Sequence, residues 1–382
     1  MEFSYENIDF SDLGSDIEAV FMRRFFFTFP KPTDAKVEDG VLHAPGKAER
    51  KIENAIANGL SSLKVKGSGR PAFFVHDMPL MGSNAFGLID RGTNLIELRP
   101  ITGCNLDCIY CSVNQDKRTM DFVVDCDSII EEFRRLVRFK DTDCEAHIGP
   151  QGEPLLYSDL PRLVKGASEV ARVSMDTNAT LLTKRKVDEL VSCGLDQFNV
   201  SIDAVTQEKA EKLAGCPYKI SHVMEMIRYI SEKAELVIAP ILVPGFNEPD
   251  MEELVKLAKK LGARIGIQNF LSYKHGKNPA KPWEFERFYK HLENLEKRYD
   301  MKLIMGPEDF GIHPAPSYDT PFKKGDIIEV QIVAEGRLPK EKIGVCKGWL
   351  VTVVPYDGTG RVKARVTRTK HNVFYAEPRN SR

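Results

Sequence analysis

Hydrophobic and polar positions alternate in a regular order through the middle of the chain. Apolar runs of strand length lie at 94–99, 146–149, 173–176, 198–202, 236–241 and 265–270. Segments with apolar residues at helical spacing lie at 127–139, 184–192, 222–233, 251–261 and 285–299. This series of strand–helix units predicts an α/β domain with a parallel sheet, either open or curled into a barrel. In both arrangements, ligands bind at the carboxyl ends of the strands.

The pattern changes after residue 300. Residues 306–320 are rich in proline and predict a linker, and residues 321–382 contain short alternating runs broken by glycine turns. Such runs predict a small all-β domain. This last segment carries 13 Lys and Arg against 6 Asp and Glu, whereas the net charge of the whole chain is −1. The excess indicates either an anionic partner or an ordinary solvated surface that happens to be basic.

Composition narrows the class of protein. The chain has 382 residues, of which 42% are hydrophobic and 29% charged, as is usual for a soluble protein of two or three domains. Its first residues, MEFSYENIDFSD, lack the basic and apolar stretches of a secretion signal, and no apolar run is long enough to span a bilayer. We therefore expect a cytoplasmic protein with no membrane partner. In that compartment, clustered cysteines indicate metal binding or catalysis more often than disulfides.

Three cysteines follow the first predicted strand: Cys104, Cys108 and Cys111. Thiolates are soft ligands that select zinc, copper(I) or iron–sulfur clusters. A structural zinc needs a fourth ligand, and neither Cys126 nor His147, the next candidates along the chain, stands at the usual spacing. A four-iron cluster on three thiolates leaves one iron open for a substrate or cofactor. The spacing favours this cluster over zinc and over unligated thiols.

The cysteine loop, with Tyr110 before the last cysteine, resembles the signature of the radical S-adenosylmethionine (SAM) superfamily. Four later segments, each following a predicted strand, are similar to further motifs of that superfamily: GPQGEPLL (149–156), DTNATLL (176–182), FNVSIDAV (198–205) and LVPGFNE (242–248). The resemblance covers about residues 94–300. It implies a partial (β/α)6 barrel over residues 91–305, preceded by a region, 1–90, in which we recognise no motif.

The resemblance also implies roles for individual residues. The three cysteines would ligate a [4Fe–4S] cluster, and the open iron would bind the methionine part of SAM. The residues implied to contact SAM are Gly152, Glu153, Pro154, Asn178, Ser201, Asp203, Gly245 and Asn247. Two positions depart from the family pattern, because Gln151 and Ala179 stand where glycines are usual. The implied chemistry is reductive cleavage of SAM to a 5′-deoxyadenosyl radical, with an electron from a donor such as ferredoxin or flavodoxin.

The C-terminal segment resembles a TRAM domain, an RNA-binding barrel of OB-like fold. The likeness lies in GDIIEVQI (325–332) and RVKARVTRTKHNVFYAEP (361–378). Basic residues at alternate positions of a strand share one face, and we expect such a face for RNA phosphates. The residues are Arg361, Lys363, Arg365, Arg368 and Lys370. Phe374 and Tyr375 either stack on bases or belong to the barrel core.

Three hypotheses about function follow. The leading one is a radical SAM enzyme that modifies RNA, with tRNA as the first candidate. The second is a radical SAM enzyme acting on a protein or a small molecule, with the C-terminal domain as a scaffold. The third is an RNA-binding protein with a structural cluster. Candidate substrate contacts follow the sixth strand: Gln268, Tyr273, Lys274 and His275, the last more typical of a solvated loop than of catalysis.

Overall fold

The N-terminal region is mostly antiparallel β-structure around one helix in the computed structural model, which describes residues 1–379. Its elements are β1 (Glu2–Phe3), β2 (Ile8–Asp12), β3 (Asp16–Phe21), β4 (Phe25–Pro30), β5 (Lys36–Glu38), β6 (Val41–His43), α1 (Glu49–Leu60), β7 (Lys64–Val65), β8 (Ala72–Val75) and β9 (Gly87–Asp90). Two sheets form here, in the orders β1-β6-β5 and β2-β3-β4-β7. Strand β9 instead joins the sheet of the central domain, so a boundary at residue 91 would divide that sheet.

The central domain supplies the parallel strands that the sequence predicts. Its elements are β10 (Leu95–Arg99), β11 (Asp121–Val124), α2 (Cys126–Lys140), β12 (Glu145–Ile148), α3 (Leu160–Ser168), β13 (Arg172–Thr177), α4 (Lys184–Ser192), β14 (Gln197–Val200), α5 (Gln207–Ala214), α6 (Ile220–Ser231), β15 (Glu235–Ile238), β16 (Ile241–Leu242), α7 (Glu248–Leu261), β17 (Arg264–Ile265), β18 (Gln268–Asn269) and α8 (Phe285–Tyr299). No helix in residues 1–379 is both long enough and apolar enough to cross a membrane.

The order of the large sheet identifies the architecture. Its strands follow the order β17-β15-β14-β13-β12-β10-β9, in which the first six run parallel and β9 is antiparallel to β10. Parallel strands that neighbour each other in both chain and sheet are the order of a (β/α) barrel, since a doubly wound sheet reverses direction. Within the described residues no ladder joins β17 back to β9 or β10. The α/β fold with a partial (β/α)6 barrel is therefore confirmed.

Local sequence explains most helix positions and one helix that the pattern did not predict. Asp125 caps α2 by accepting a hydrogen bond from the Ser128 N–H, and the helix buries an apolar stripe against the sheet. Helix α3 was not predicted, since its nine residues include Gly166. A Cβ at this position would lie 2.6 Å from Ile130 Cδ1, so glycine lets α2 and α3 approach closely.

The fifth and sixth predicted strands are each interrupted, and the prediction of continuous strands there is wrong. Pro240 separates β15 from β16, and Gly266 separates β17 from β18. Proline has no N–H to give to a ladder. The carbonyl of Pro240 still accepts a hydrogen bond from the Gln268 N–H, so the short pair β16–β18 continues the barrel wall after the break.

The C-terminal segment forms a closed five-stranded barrel in the order β19-β20-β21-β23-β22. Its strands are β19 (Ile327–Glu335), β20 (Lys342–Cys346), β21 (Trp349–Val353), β22 (Arg361–Arg368) and β23 (Tyr375–Pro378). Phe374 is fully buried in its centre, with ring centroids 5.0 Å from Phe322 and 5.4 Å from Trp349. Phe374 therefore belongs to the barrel core, which was one of its two predicted roles, and it has no exposed face on which a base could stack. The small all-β domain is confirmed.

This barrel is docked firmly on the rest of the molecule. The Leu350 N–H donates to the Met81 carbonyl over 2.8 Å, and the Phe374 N–H donates to the Gly82 carbonyl over 2.9 Å. Gly82 has a φ of +114°, and a Cβ there would lie 2.1 Å from the Leu350 carbonyl oxygen. Ile343 and Leu350 belong to the core of the larger domain. The C-terminal barrel therefore shares buried surface with the central domain and is not an independent module on a flexible linker.

A buried ion pair fastens the linker to the central domain. Lys140 Nζ, at the end of α2, lies 2.8 Å from Asp90 Oδ1 of β9 and donates to the Pro316 carbonyl over 2.7 Å. Both charged side chains are fully buried. A buried charge is tolerated when it is paired and hydrogen-bonded, so this lysine joins a helix, an edge strand and the 306–320 segment.

Replacement of Lys140 should therefore destabilise the whole chain. We expect Lys140→Met to lower the free energy of unfolding by about 3–5 kcal/mol, because it leaves the Asp90 carboxylate buried without its partner. The exposed Lys165 of α3 provides a matched control, and Lys165→Met should change stability by less than about 0.5 kcal/mol. Urea denaturation of both variants measures the difference. Equal stabilities would contradict a structural role for the pair.

Candidate active site

The cysteine loop follows β10, and backbone groups of other elements form hydrogen bonds with its backbone. The N–H groups of Asp107 and Ile109 donate to the carbonyls of Ala214 and Leu213, both over 3.0 Å, at the end of α5. On the other side, the Cys111 carbonyl accepts from the Lys277 N–H over 2.9 Å. An irregular loop needs such partners for its backbone groups. Helix α5 and the loop after β18 therefore fix the path of the cysteine loop.

The three thiols are free and partly buried. Burial raises the pKa of Cys104 to about 12 and holds the pKa of Cys108 well above its usual value. Such thiols ionise only when a cation binds them, because metal coordination requires the thiolate. Within residues 1–379, no three His, Cys, Asp or Glu side chains are close enough together to hold a single metal ion. A structural zinc ion needs four ligands at one centre, whereas a [4Fe–4S] cluster binds each thiolate at its own iron, so the donor set of three cysteines in one loop suits the cluster.

The segment around Glu153 packs directly on the cysteine loop. The Glu153 N–H donates to the Gly103 carbonyl over 2.8 Å. Its carboxylate accepts hydrogen bonds from Thr177 Oγ1 over 2.8 Å and from the Asn178 N–H over 2.9 Å. Gly152 has a φ of +80°, and a Cβ there would lie 2.7 Å from the Gly103 carbonyl oxygen. We call the segment Gly152–Pro154 the ledge. Pro154 begins a short 3₁₀ turn, and the ledge joins the ends of three strands, β10, β12 and β13.

Burial also changes the acidity of the Glu153 carboxyl group. Desolvation outweighs the hydrogen bonds that it accepts and raises its pKa to about 7. Burial therefore disfavours the charged form of this carboxyl group. A cationic group placed beside it would favour the carboxylate form, which is what the ammonium of an amino acid such as the methionine part of SAM provides.

Three further predicted contacts gather around Cys108. Asn178, Ser201 and Asp203 line a cavity of about 40 Å³ together with Cys108 and Tyr110. Asp203 Oδ1 accepts from the Ile241 N–H over 2.7 Å, its other oxygen accepts from the Tyr110 hydroxyl, and burial raises its pKa to about 6. The ends of β13 and β14 therefore bring polar side chains to the loop. A larger cavity, about 680 Å³, lies elsewhere and contains none of the predicted contacts.

The last two predicted contacts, Gly245 and Asn247, have different environments. Asn247 is fully buried. Its Oδ1 accepts from the Val243 N–H over 2.8 Å, and its Nδ2 donates to the carbonyls of Asp203 and Ile241 over 2.8 and 2.9 Å. The exposed Gly245 lies on the turn that these bonds shape, with a φ of +83°. The Asn247 amide is thus committed to the protein backbone, and any effect on SAM acts through the turn.

The loop after β18 covers the cysteine loop with its backbone. The His275 carbonyl accepts from the Asn114 N–H over 3.0 Å, and Lys277 Nζ lies 2.5 Å from Asp107 Oδ1. The predicted substrate contacts Gln268, Tyr273, Lys274 and His275 have exposed side chains. His275 therefore has the surroundings of a solvated loop residue, and the contact with the cysteine loop is made by its neighbours.

Sequence reasoning missed a group of arginines beside the cysteines. Arg24 comes from the N-terminal region, Arg118 from the segment after the cysteine loop, and Arg337 from the hairpin between β19 and β20. A Cβ at Gly103 would lie 2.9 Å from Arg24 Nη2, while Arg337 donates to Gln151 Oε1. No local motif marks these residues, because only the tertiary fold brings them together.

The predicted RNA-contacting residues do not all share one strand face. Arg361, Lys363 and Arg365 are exposed at alternate positions of β22. A bulge between Val366 and Arg368 then shifts the register, and Lys370 lies beyond the end of the strand. The alternation predicted through Lys370 is therefore wrong for the last two residues. The exposed face also contains an acidic group, because Glu329 on β19 lies 3.5 Å from Arg361.

Comparison with known proteins supports this interpretation of the site. The model of the radical SAM superfamily matches residues 98–258, which include the cysteine loop, the ledge and the ends of β13 and β14. The chain belongs to the radical SAM superfamily. Its cofactors are a [4Fe–4S] cluster and SAM.

The relatives in the comparison include proteins of different description. An uncharacterized protein of Methanocaldococcus jannaschii is 35% identical over 367 residues, which cover 85% of this chain and 84% of that protein. A probable GTP 3′,8-cyclase of Archaeoglobus fulgidus is 26% identical over 57% of this chain and 71% of its own length. Among solved structures, TYW1 with a lysine–pyruvate adduct is 18% identical, with a TM-score of 0.43 over 58% of this chain and 78% of TYW1.

Removal of any one ligand should abolish the cluster. We expect anaerobically purified protein to hold about four irons per chain, and Cys104→Ala, Cys108→Ala or Cys111→Ala to lose them, because each thiolate anchors a separate iron. Cys346→Ala, in the C-terminal barrel, is the matched control and should retain iron. Iron analysis and visible absorption measure the outcome. Stoichiometric zinc without iron would contradict the assignment.

Asn178 and Asn247 should behave differently when truncated. Asn178→Ala should weaken SAM binding about tenfold with unchanged iron content, because its amide lies at the cavity beside Cys108. Asn247→Ala should instead lower the free energy of unfolding by about 2–4 kcal/mol, because three buried backbone groups lose their partner. Calorimetric SAM binding and urea denaturation separate the two effects, with exposed Asn54→Ala as a control. The opposite assignment of effects would show that Asn247 is the direct contact.

Proposed function

We propose that this chain is a radical SAM enzyme that modifies RNA, with tRNA as the first substrate to test. The observation that carries the proposal is the exposed basic face of β22 on a barrel that is fixed to the cysteine loop. Cys104, Cys108 and Cys111 would hold the cluster, and SAM bound there would supply the one-electron chemistry that removes a hydrogen atom from a carbon of the substrate. The protein positions both cofactors and excludes water and oxygen.

The docking of the barrel gives its basic face a defined place. The Thr119 N–H donates to the Arg337 carbonyl over 2.9 Å, which ties the hairpin of the barrel to the segment after the cysteine loop. An RNA bound on Arg361, Lys363 and Arg365 would therefore be held at a constant distance from the site of radical formation. Phosphate contacts of this kind position a nucleic acid without reading its sequence.

The reaction also requires a reductant. A [4Fe–4S] cluster must receive an electron before SAM is cleaved, and we propose a small electron carrier such as ferredoxin or flavodoxin as the donor. The cysteines outside the loop show no second cluster spacing in the sequence, and we therefore propose that the electron comes from this partner.

A small anionic molecule is the second candidate substrate. The half-buried Arg24 and the buried Arg118 and Arg337 support it, because they lie beside the cysteines. Similarity to proteins named GTP 3′,8-cyclases agrees with a small phosphorylated substrate. In this alternative the C-terminal barrel serves as a wall of the active site.

Charge reversal on β22 should separate the two candidates. We expect Arg361→Glu/Lys363→Glu/Arg365→Glu in the full chain to reduce binding of an unmodified tRNA transcript strongly, because three phosphate contacts are lost. The slope of log affinity against log salt should fall by about two. The cluster and SAM cleavage in the absence of substrate should persist. Fluorescence anisotropy at several salt concentrations measures the binding.

The matched control places the same charge change on another exposed surface. Lys47→Glu/Arg50→Glu/Lys51→Glu, at the start of α1, should retain tRNA binding. Mass spectrometry of nucleosides in bulk tRNA from cells with and without this protein then tests the modification directly. Identical nucleoside profiles, or equal tRNA binding by the β22 variant, would favour the small-molecule substrate.

A further inference from the structure

Three separate parts of the chain place a guanidinium group beside the cysteine loop. Arg24 lies over Gly103, Arg118 lies near Cys104 and Cys111, and Arg337 lies near Cys111. Arg118 and Arg337 are 7% and 9% exposed, so neither interacts with bulk water to any great extent. Burying guanidinium groups without full compensation is costly, and groups of this kind are usually kept for binding or catalysis.

The hydrogen-bonding capacity of these arginines is only partly used. The Nε atoms of Arg24 and Arg118 are buried and have no acceptor among residues 1–379. Arg337 donates Nη1 to the neutral side-chain amide of Gln151. Buried donors are nearly always paired in folded proteins, so unpaired ones indicate an absent acceptor.

Several guanidinium groups lie close together here. Asp121 is shared between Arg118 and Arg70, and Glu341 faces Arg337. A [4Fe–4S] cluster on three thiolates adds a single net negative charge in its oxidised state. Arg24, Arg70, Arg118 and Arg337 thus supply four positive charges at the loop, and the groups of opposite charge are Asp121, Glu341, Glu153 and the cluster. Desolvation and the neighbouring arginines lower the pKa of Arg118 to about 9, as expected where positive charges crowd together.

We infer that Arg24, Arg118 and Arg337 form a binding site for an oxyanion of the substrate, a phosphate or a carboxylate, next to the cluster. A guanidinium group presents parallel N–H donors that match the oxygens of either group. The site uses Arg337 from the C-terminal barrel, so that barrel completes the active site. The inference depends on the radical SAM assignment and is independent of whether the substrate is RNA.

Paramagnetic relaxation offers a direct test. A reduced [4Fe–4S] cluster is paramagnetic, so the ³¹P nucleus of inorganic phosphate bound beside it relaxes faster. We expect this enhancement in cluster-loaded protein with S-adenosylhomocysteine present to occupy the open iron. Arg337→Gln and Arg24→Gln should each weaken phosphate binding about tenfold with unchanged iron content and visible spectrum. Arg185→Gln, an exposed arginine of α4, should have no effect.

Other outcomes of the same experiment would contradict the proposed oxyanion site. Loss of the enhancement on addition of S-adenosylhomocysteine would mean that phosphate binds the open iron or the SAM site. Loss of the cluster in both arginine variants would mean that these residues serve the cluster alone. Equal enhancement of ³¹P relaxation in all variants would show that phosphate does not bind at these arginines. Carboxyl-labelled [¹³C]acetate, tested in the same way, distinguishes a carboxylate site from a phosphate site. An unchanged tRNA nucleoside profile would refute RNA modification while leaving this site in place.

Discussion

The cysteine loop has little regular structure, and the organisation of the active site depends on how that loop is held. Parallel strands that end at one edge bring side chains and carbonyls from distant parts of the sequence to the same place. Here Glu153, Asn178 and Asp203 each come from a different strand end and each bonds to the loop or to a neighbour of it. The loop is therefore positioned by the sheet through contacts at three strand ends.

The docking of the C-terminal barrel also depends on a close contact between two parts of the backbone. A glycine with a positive φ at residue 82 allows β21 and Phe374, the residue before β23, to bond to the polypeptide that leads into β9. A separate contact, from the Thr119 N–H to the Arg337 carbonyl, ties the hairpin that bears Arg337 to the segment after the cysteine loop. The basic face of β22 and the buried arginine thus belong to one rigid arrangement, although they are proposed to meet different parts of a substrate.

Sequence analysis succeeded where the signal was local. The cysteine spacing, the strand–helix alternation and the alternating runs of the last segment each depend on a few neighbouring residues. It failed where a side chain acquires its role from the fold. Asn247 matches a motif, yet its amide is used by the backbone of its own turn. Arg24 and Arg337 are far apart in the chain, and only tertiary structure places both beside the cysteines. A single bulge, at Val366–Arg368, was enough to change which side chains share a face.

The contact between Met81–Gly82 and the C-terminal barrel also bears on how the protein is made. The partners of these two residues, Leu350 and Phe374, lie roughly 270 and 290 residues later in the chain, and translation proceeds at about 5–20 residues per second. The segment before β9 therefore waits for tens of seconds with its backbone groups and apolar neighbours uncovered. During that interval the nascent chain contains the cysteine loop without the hairpin that finally covers it. Arg337 and the rest of its hairpin reach the segment after the cysteine loop only after this interval, so the three thiols have fewer neighbours before the barrel docks.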